Sequence, residues 1–121
     1  ILITGASSTL GKSLTVKLLK TKQFLIRLLE HRSPVCRENC EIFQGDLQVV
    51  DSLVRACSEV DTVVHLAALT HSSSGKEYFE INEEGTKNLI AACKKNNVRR
   101  FIFVSSAAAS EEGGDYGVSK L

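Results

Sequence analysis

The sequence has a single proline among its 121 residues and no apolar stretch long enough to span a membrane. Few loop-forming tracts and an apolar content of 43% argue against a disordered chain. The formal net charge is only +1 with both signs scattered, so neither a basic stripe for nucleic acid nor an acidic tail is present. No positively charged segment leads into a short apolar run, which would be the pattern of a secretory signal. We therefore expect one cytoplasmic domain with a sizeable core and without a nucleic-acid or membrane partner.

Four cysteines raise the question of a disulfide or metal site. Cys57 and Cys93 fall on apolar helix positions and are predicted to be small core residues. His31, Cys36 and Cys40 form a loose group in one loop. A structural zinc site needs four converging ligands, usually in closely spaced pairs, and the sequence has no second pair. Reduced thiols and no metal are therefore expected.

The first eleven residues carry an apolar strand-like run that breaks at Gly5 and resumes as a helix pattern containing Gly11. This layout predicts a tight strand-to-helix turn whose backbone N–H groups and helix N-terminus can bind a phosphate. Gly5 permits the sharp turn, and Gly11 allows the helix to pack closely on the strand. Ser8 occupies the place usually held by a middle glycine, which leaves an ordinary strand–helix turn as the alternative. We assign the following turn residues to cofactor binding: Gly5, Ser8, Thr9, Leu10 and Gly11.

Strand and helix patterns alternate along the rest of the chain. Further strands are predicted at 24–29, 41–44, 61–66 and 100–105, and helices at 10–20, 50–57 and 77–96, with another beginning near residue 115. Asp51 or Ser52 is predicted to begin the short second helix. The alternation implies right-handed crossovers and a Rossmann-type, doubly wound parallel α/β sheet of strand order 3-2-1-4-5.

The last predicted helix, which begins near Asp115, is too short to be stable alone because helix nucleation is costly. We therefore expect the native polypeptide to continue past Leu121 with at least one more strand and a substrate-covering segment. On this interpretation residues 1–121 are the dinucleotide-binding domain of a longer chain.

Two carboxylates follow neighbouring predicted strands. Glu30, 19 positions beyond Gly11, can accept hydrogen bonds from both hydroxyls of an adenosine ribose and repel a 2′-phosphate, which favours NAD over NADP. Arg32 weakens this preference, because a guanidinium can bind that phosphate with two hydrogen bonds. Asp46 is placed to accept from the adenine amino group. A solvated surface glutamate and a turn aspartate are the alternatives.

Tyr116 and Lys120 are four residues apart, so both project from one face of a helix. A phenol with a pKa of about 10 is a poor acid or base at pH 7, and a nearby ammonium and nicotinium ring favour its ionised form. Ser105 or Ser106, at the end of the fifth predicted strand, can hydrogen-bond a substrate oxygen while Tyr116 exchanges its proton. Two unrelated surface residues are the alternative interpretation of the tyrosine–lysine pair.

The whole sequence resembles the extended short-chain dehydrogenase/reductase family, in its branch of NAD-dependent epimerases and dehydratases. The matching segments are residues 4–11, 45–47, 64–68, 82–86, 103–107 and 116–120. The resemblance implies that Asp46 and Leu47 flank the adenine, and that Leu66, Ala67 and Ala68 line the nicotinamide side.

The same resemblance implies catalytic roles for three residues. Tyr116 would be the acid/base, Lys120 would hold the nicotinamide ribose, and Ser106, ahead of Ser105, would be the catalytic serine. It implies hydride transfer to or from a hydroxyl or keto carbon, with a nucleotide sugar as the expected substrate. Members often pair through the helices that follow strands four and five, so a homodimer is one implied assembly.

One departure from the family pattern supports a second hypothesis. Only nine residues separate Ser106 from Tyr116, whereas typical sugar-nucleotide epimerases carry a markedly longer segment. This length is similar to that of atypical relatives, among them the respiratory complex I accessory-subunit type and regulatory dinucleotide sensors, some of which bind cofactor without turnover. A non-catalytic NAD(P)-binding module is therefore the alternative, and residues absent between Ala109 and Tyr116 are another explanation.

Overall fold

The computed structural model describes residues 1–35 and 38–121. Five parallel strands form one sheet in the order β3-β2-β1-β4-β5. The strands are β1 (Leu2–Thr4), β2 (Ile26–Glu30), β3 (Cys40–Gln44), β4 (Thr62–His65) and β5 (Arg100–Phe103). The helices are α1 (Thr9–Thr21), α2 (Val50–Ala56), α3 (Gly75–Tyr78), α4 (Gly85–Lys95) and α5 (Gly114–Ser119), and a π-helical turn, Phe79–Glu84, joins α3 to α4. The predicted fold class and strand order are confirmed.

Two apolar clusters cover opposite faces of the sheet. Successive strand residues point to opposite faces, so Leu2 belongs to the cluster under α2 and α4, whereas Ile3 belongs to the cluster that packs against α1. Val63 and Val64 divide in the same way. The central strands β1 and β4 are buried along their whole length, as expected for strands covered on both faces, whereas the edge strands β3 and β5 are largely exposed.

The predicted core cysteines are confirmed. Cys57 and Cys93 are 0% and 5% exposed, with their sulfur atoms 3.9 Å apart between α2 and α4. Of the loop group with His31 and Cys40, Cys36 lies outside the described residues. Among residues 1–35 and 38–121, no three His, Cys, Asp or Glu side chains converge as metal ligands. Nor does any helix of that described part have the length and apolar character to cross a membrane.

Several predicted element boundaries are wrong, among them the end of the fifth strand, which lies at Phe103 and not at Ser105. The second strand begins at Ile26, and Phe24 and Leu25 are 44% and 92% exposed. Pairing of β2 with β1 begins with Arg27 opposite Leu2.

Helix α2 begins at Val50, the first residue of the predicted range 50–57, and neither Asp51 nor Ser52 is its starting residue. The Ser52 hydroxyl bonds back to the carbonyls of Val49 and Asp46 from inside the first turn. This serine therefore fastens the preceding loop to the helix and does not occupy its first position.

The predicted single helix over 77–96 begins two residues earlier, at Gly75, and contains the π-helical turn. Such a turn adds a residue to the helical repeat, and it is often found at functional sites. The turn therefore shifts the helical phase between α3 and α4.

Candidate functional site: a groove at the carboxyl ends of the strands

A groove of about 540 Å³ lies where the carboxyl ends of β1 to β4 meet. Its walls come from the β1–α1 turn, the loops after β2, β3 and β4, and the helical segment around residue 80. The lining residues include Gly5, Ser7, Ser8, His31, Arg32, Asp46, Leu47, Leu66, Ala67, Ala68, Leu69, Glu77, Glu80 and Ile81. Strand order reverses between β1 and β4, and in open parallel sheets ligands bind at such a reversal.

The β1–α1 turn has the close backbone contacts that its two glycines predict. Gly5 adopts a positive φ of 69°, and a Cβ there would lie 2.6 Å from the nitrogen of Ala67. At Gly11, a Cβ would lie 2.7 Å from the Cα of Ala6, so the helix packs directly on the turn. Neither position has room for a side chain.

Ser8 caps helix α1, a role that the sequence interpretation missed. Its hydroxyl oxygen accepts the N–H of Gly11 at 3.0 Å, and its hydroxyl hydrogen is donated to the carbonyl of Gly5 at 2.7 Å. A serine immediately before an amphipathic pattern is an N-cap signal, and it was available in the sequence. Ser8, which stands where the dinucleotide-binding pattern usually has its middle glycine, therefore stabilises the turn through these hydrogen bonds.

The side of the groove that follows β3 is lined by Asp46 and Leu47. The Asp46 carboxylate lies 3.1 Å from the His31 imidazole, which links the loops after β3 and β2 across the groove rim. Glu30 lies beside the groove without lining it. One of its oxygens accepts the N–H of Val35 at 2.6 Å, and the other accepts the side-chain amide of Gln44. Two of the chain's own donors thus hold this carboxylate.

The loop after β4 is fixed by a buried histidine that the sequence interpretation assigned no role. His65 is 1% exposed, with its Nδ1 2.6 Å from the Thr4 hydroxyl and its Nε2 2.9 Å from the Thr86 hydroxyl. Thr86 donates its own hydrogen to the carbonyl of Asn82 at 2.6 Å, so it accepts from Nε2, and Nδ1 accepts from Thr4. Thr4 in turn accepts the N–H of Ala67 at 3.3 Å. The neutral ring therefore joins β1, β4 and the helix that follows.

Burial is the main cause that lowers the pKa of His65 to about 4, and the nearby Lys120 ammonium adds to it. Lys120 is itself 4% exposed, its Nζ donates to the carbonyl of Val104 at 3.2 Å, and it lies 4.4 Å from the ring centre of Phe103. Burial also lowers the pKa of this ammonium. The cation–π contact and the carbonyl offset part of the cost of burying the charge.

The side chains assigned to catalysis lie on or next to α5. Ser106 accepts the N–H of Ala108 at 3.1 Å, which leaves its hydroxyl hydrogen available to donate. Ser105 instead donates to the carbonyl of Lys120 at 3.4 Å. The ring of Tyr116 contacts the ring of Tyr78, with the centroids 5.9 Å apart.

Asn82 and Thr86 brace this edge of the sheet through hydrogen bonds. Asn82 is 2% exposed, and it exchanges two hydrogen bonds with the backbone of Leu69, at 2.7 and 3.0 Å. Its side-chain amide also donates to the hydroxyl of Ser119 at 3.0 Å. The π-helical turn therefore links the groove loop directly to α5.

The structure thus gathers part of the predicted set in one groove. The predicted cofactor-binding residues that line it are Gly5, Ser8, Asp46, Leu47, Leu66, Ala67 and Ala68. Thr9, Leu10 and Gly11 continue the turn into α1. Ser106, Tyr116 and Lys120 are not among the residues that line this groove. Lys120 lines a second cavity of about 310 Å³ between the π-helical turn and β5, and the Tyr116 ring contacts Tyr78.

A parallel sheet with a glycine-bearing strand–helix turn at its order reversal defines a Rossmann-type nucleotide-binding fold. The chain belongs to the NAD dependent epimerase/dehydratase family, whose model matches residues 1–119. This assignment confirms the resemblance to the extended short-chain dehydrogenases/reductases.

Three curated relatives show the range of this similarity. The chain is 34% identical to an uncharacterized membrane protein of Methanocaldococcus jannaschii and 32% identical to the UDP-N-acetylglucosamine 4,6-dehydratase (inverting) of Campylobacter jejuni, with 100% of the chain covered in both. It is 32% identical to the human decarboxylating sterol-4-alpha-carboxylate 3-dehydrogenase over 93% of the chain. The chain spans 30–40% of the length of these relatives.

Solved structures agree with this assignment. Uronate dehydrogenase from Agrobacterium tumefaciens superimposes with a TM-score of 0.87 at 26% identity, over 98% of this chain and 50% of that protein. MoeE5, solved in complex with UDP-glucose and NAD, superimposes with a TM-score of 0.83 at 29% identity, over 98% of this chain and 44% of that protein.

Proposed function

We propose that residues 1–121 form the NAD-binding domain of an oxidoreductase of the epimerase or dehydratase type that acts on a hydroxyl or keto carbon of a nucleotide sugar. The observation that carries the proposal is the groove at the strand-order reversal, lined by the β1–α1 turn, Asp46 and the 66–68 loop. Its volume is in the range of small-molecule sites. The UDP-glucose and NAD bound to MoeE5, and the UDP-sugar in the name of the Campylobacter dehydratase, support this substrate class.

The residues of the groove fit a dinucleotide. An α-helix leaves its first N–H groups without intrahelical partners. The Ser8 hydroxyl accepts the N–H of Gly11. The described residues offer no acceptor to the N–H groups of Thr9 and Leu10, and these two donors suit a pyrophosphate. The Asp46 carboxylate suits the adenine amino group, and the small residues 66–68 suit a flat ring.

The expected preference for NAD rests on Glu30, whose carboxylate disfavours a 2′-phosphate. Arg32 lines the groove and is the side chain that would admit one. Parallel titrations of the full-length protein with NADH and NADPH decide between the two: tighter binding of NADH supports the role of Glu30, and tighter binding of NADPH contradicts it.

When bound, the nicotinamide ring supplies the acceptor for hydrogen transfer from the substrate carbon. Tyr116 takes or returns the proton of the substrate hydroxyl through its phenol oxygen. Ser106 donates a hydrogen bond to the same substrate oxygen, since its hydroxyl hydrogen is not used by the loop. Ser105 suits this role less well, because it donates to the carbonyl of Lys120.

The test is the substrate-dependent reduction of bound NAD by the full-length protein, with a panel of nucleotide sugars. Replacing Tyr116 by Phe should lower the turnover about 10²–10⁴-fold, the usual contribution of a general acid/base, and leave NADH binding within a few-fold. Ser106→Ala should also lower turnover, whereas Ser110→Ala, at an exposed serine of the same loop, should not. A Tyr116→Phe protein that turns over at the full rate would refute this mechanism.

A non-catalytic NAD-binding module is the second candidate. It is favoured by the Lys120 ammonium, which contacts the Val104 carbonyl and the Phe103 ring. NADH binding without a redox change for any nucleotide sugar, combined with unchanged binding in Tyr116→Phe, supports the module. Substrate-dependent NADH formation excludes it.

A further inference from the structure

The two tyrosines of this sequence contact each other edge to face. Tyr78 is the last residue of α3 and Tyr116 lies on α5, with their ring centres 5.9 Å apart and their planes at 63°. This geometry is the one that aromatic rings favour, because the positive edge of one ring faces the negative face of the other. The orientation of each ring is therefore coupled to that of its neighbour.

Tyr78 is held from its other end. Its hydroxyl oxygen accepts the N–H of Ser72 at 2.9 Å and lies 3.5 Å from the carbonyl of Thr70. Ser72 is in turn fastened by its hydroxyl, which donates to Glu77 and accepts the N–H of Ser74 at 2.9 Å. The 70–74 loop and α3 thus form one hydrogen-bonded unit, and the Tyr78 ring projects from it towards α5.

Helix α5 depends on this unit for its position. Six residues are too few for a stable isolated helix, so packing must hold it in place. Three contacts do so along its length. Asp115 lies so close to Gly75 that a Cβ there would overlap its carboxylate, Tyr116 meets Tyr78, and Ser119 accepts a hydrogen bond from Asn82.

We propose that Tyr78 is a positioning residue for Tyr116: its ring fixes the direction of the Tyr116 ring, and its hydroxyl fastens the loop that carries this constraint. The inference rests on the proposed acid/base role of Tyr116. The short helix that carries Tyr116 does little by itself to fix the orientation of the Tyr116 ring. The contact with the Tyr78 ring fixes this orientation from outside the helix.

The experiment compares three variants of the full-length protein. Tyr78→Leu removes the ring, Tyr78→Phe keeps the ring and removes the hydroxyl, and Phe79→Leu is a matched loss of an aromatic ring at the adjacent position. Tyr78→Leu should lower kcat at least tenfold with KM for NAD within a factor of two or so, because small misplacements of a reacting group cost up to about 10²-fold. Tyr78→Phe should recover most of kcat, and Phe79→Leu should retain it.

Tyrosine ring signals in the NMR spectrum provide a readout that does not need turnover. In the wild-type protein the Tyr116 ring protons, assigned through Tyr116→Phe, should be shifted by the ring current of Tyr78 and show cross-relaxation with its ring. Tyr78→Leu should remove that shift, whereas Tyr78→Phe and Phe79→Leu should leave it in place. Thermal unfolding of each variant identifies any general loss of structure.

The outcomes separate this inference from the proposed function. If Tyr116→Phe abolishes turnover but Tyr78→Leu keeps wild-type kcat and Tyr116 signals, Tyr78 is not a positioning residue. If Tyr116→Phe turns over normally, the proposed function is wrong, and the inference fails with it. Should Tyr78→Leu not fold, absence of ring-to-ring cross-relaxation in the wild-type protein would still overturn the inference.

Discussion

Acidification should destabilise this protein through one buried side chain, His65. The neutral ring has a partner for each nitrogen: it accepts from Thr4 at Nδ1 and donates to Thr86 at Nε2. A second ring proton at Nδ1 would meet the hydrogen that the Thr4 hydroxyl donates to this nitrogen, so this hydrogen bond would have to be rearranged. The Lys120 ammonium adds a like charge nearby. The folded structure therefore favours the neutral ring.

The magnitude follows from the pKa of His65, which is lowered in the folded protein from 6.5 to about 4. One pKa unit corresponds to about 1.4 kcal/mol, so protonation costs the folded state about 3 kcal/mol relative to the unfolded chain. Between pH 6.5 and 4 the unfolded chain binds the proton and the folded protein does not, so the free energy of unfolding falls as the pH falls. Above this window the effect disappears, and below it the loss is complete. Such a loss is a large fraction of the stability of a typical domain.

The measurement is urea unfolding of the full-length protein at several pH values from 4 to 8. Carboxylates also titrate in this range, so the quantity of interest is the difference in pH dependence between the wild-type protein and His65→Gln, which lacks this titration. That difference should approach about 3 kcal/mol. His71→Gln, at an exposed histidine, is the matched control and should follow the wild-type curve. NMR of the imidazole nitrogens should show the neutral Nε2–H form of His65 at pH 6.

Two results would refute this reasoning. Equal pH dependence in the wild-type protein and His65→Gln would mean that the folded state does not disfavour the protonated ring. A fully protonated His65 at pH 6 in the folded protein would contradict the assigned hydrogen bonds directly.

Two further predictions concern the β1–α1 turn. A positive φ should cost about 1–2 kcal/mol both in Gly5→Ala and in Gly114→Ala. Only at Gly5 would the added Cβ also overlap the backbone of the residues after β4. In thermal or urea unfolding Gly5→Ala should therefore be the more destabilised by about 1–3 kcal/mol, and equal losses would contradict the close backbone approach. Ser8→Ala should cost about 1 kcal/mol, since it removes the cap of α1. The matched Ser7→Ala, one residue ahead of the cap, should cost less, and equal losses would argue against capping by Ser8.

The architecture was predictable from the sequence because it depends on the alternation of strands and helices along the chain. Strand and helix patterns that alternate leave few topologies, since crossovers between parallel strands are right-handed. Neighbouring apolar residues such as Leu2 and Ile3 then have to face opposite sides of the sheet, as the two clusters show. Boundaries were less predictable. Phe24 and Leu25 extend the apolar run ahead of β2, and an apolar residue type alone does not show where a strand begins.

His65 shows why part of the site could not be predicted. In the sequence it is one polar residue in an apolar strand, and its two partners lie 61 and 21 positions away. No local spacing encodes such contacts, because they arise only when β1, β4 and the following helix are assembled. By contrast, Asp46 and the 66–68 loop were predictable, since the carboxyl ends of parallel strands meet at one edge by topology alone.

The π-helical turn explains why the contacts of α5 were the least predictable. An interpretation based on 3.6 residues per turn assumes that one face continues along the whole helix. A turn with an added residue changes that phase, so residues on either side of it no longer follow a single stripe. Tyr78, before the turn, and Asn82, within it, both reach α5, where they contact Tyr116 and Ser119. The four-residue spacing of Tyr116 and Lys120 predicts a shared helix face, but it does not predict which part of the protein that face contacts. The 75–84 segment determines how α5 is oriented. Variants of this segment therefore test the proposed catalytic geometry more directly than further changes on α5 itself.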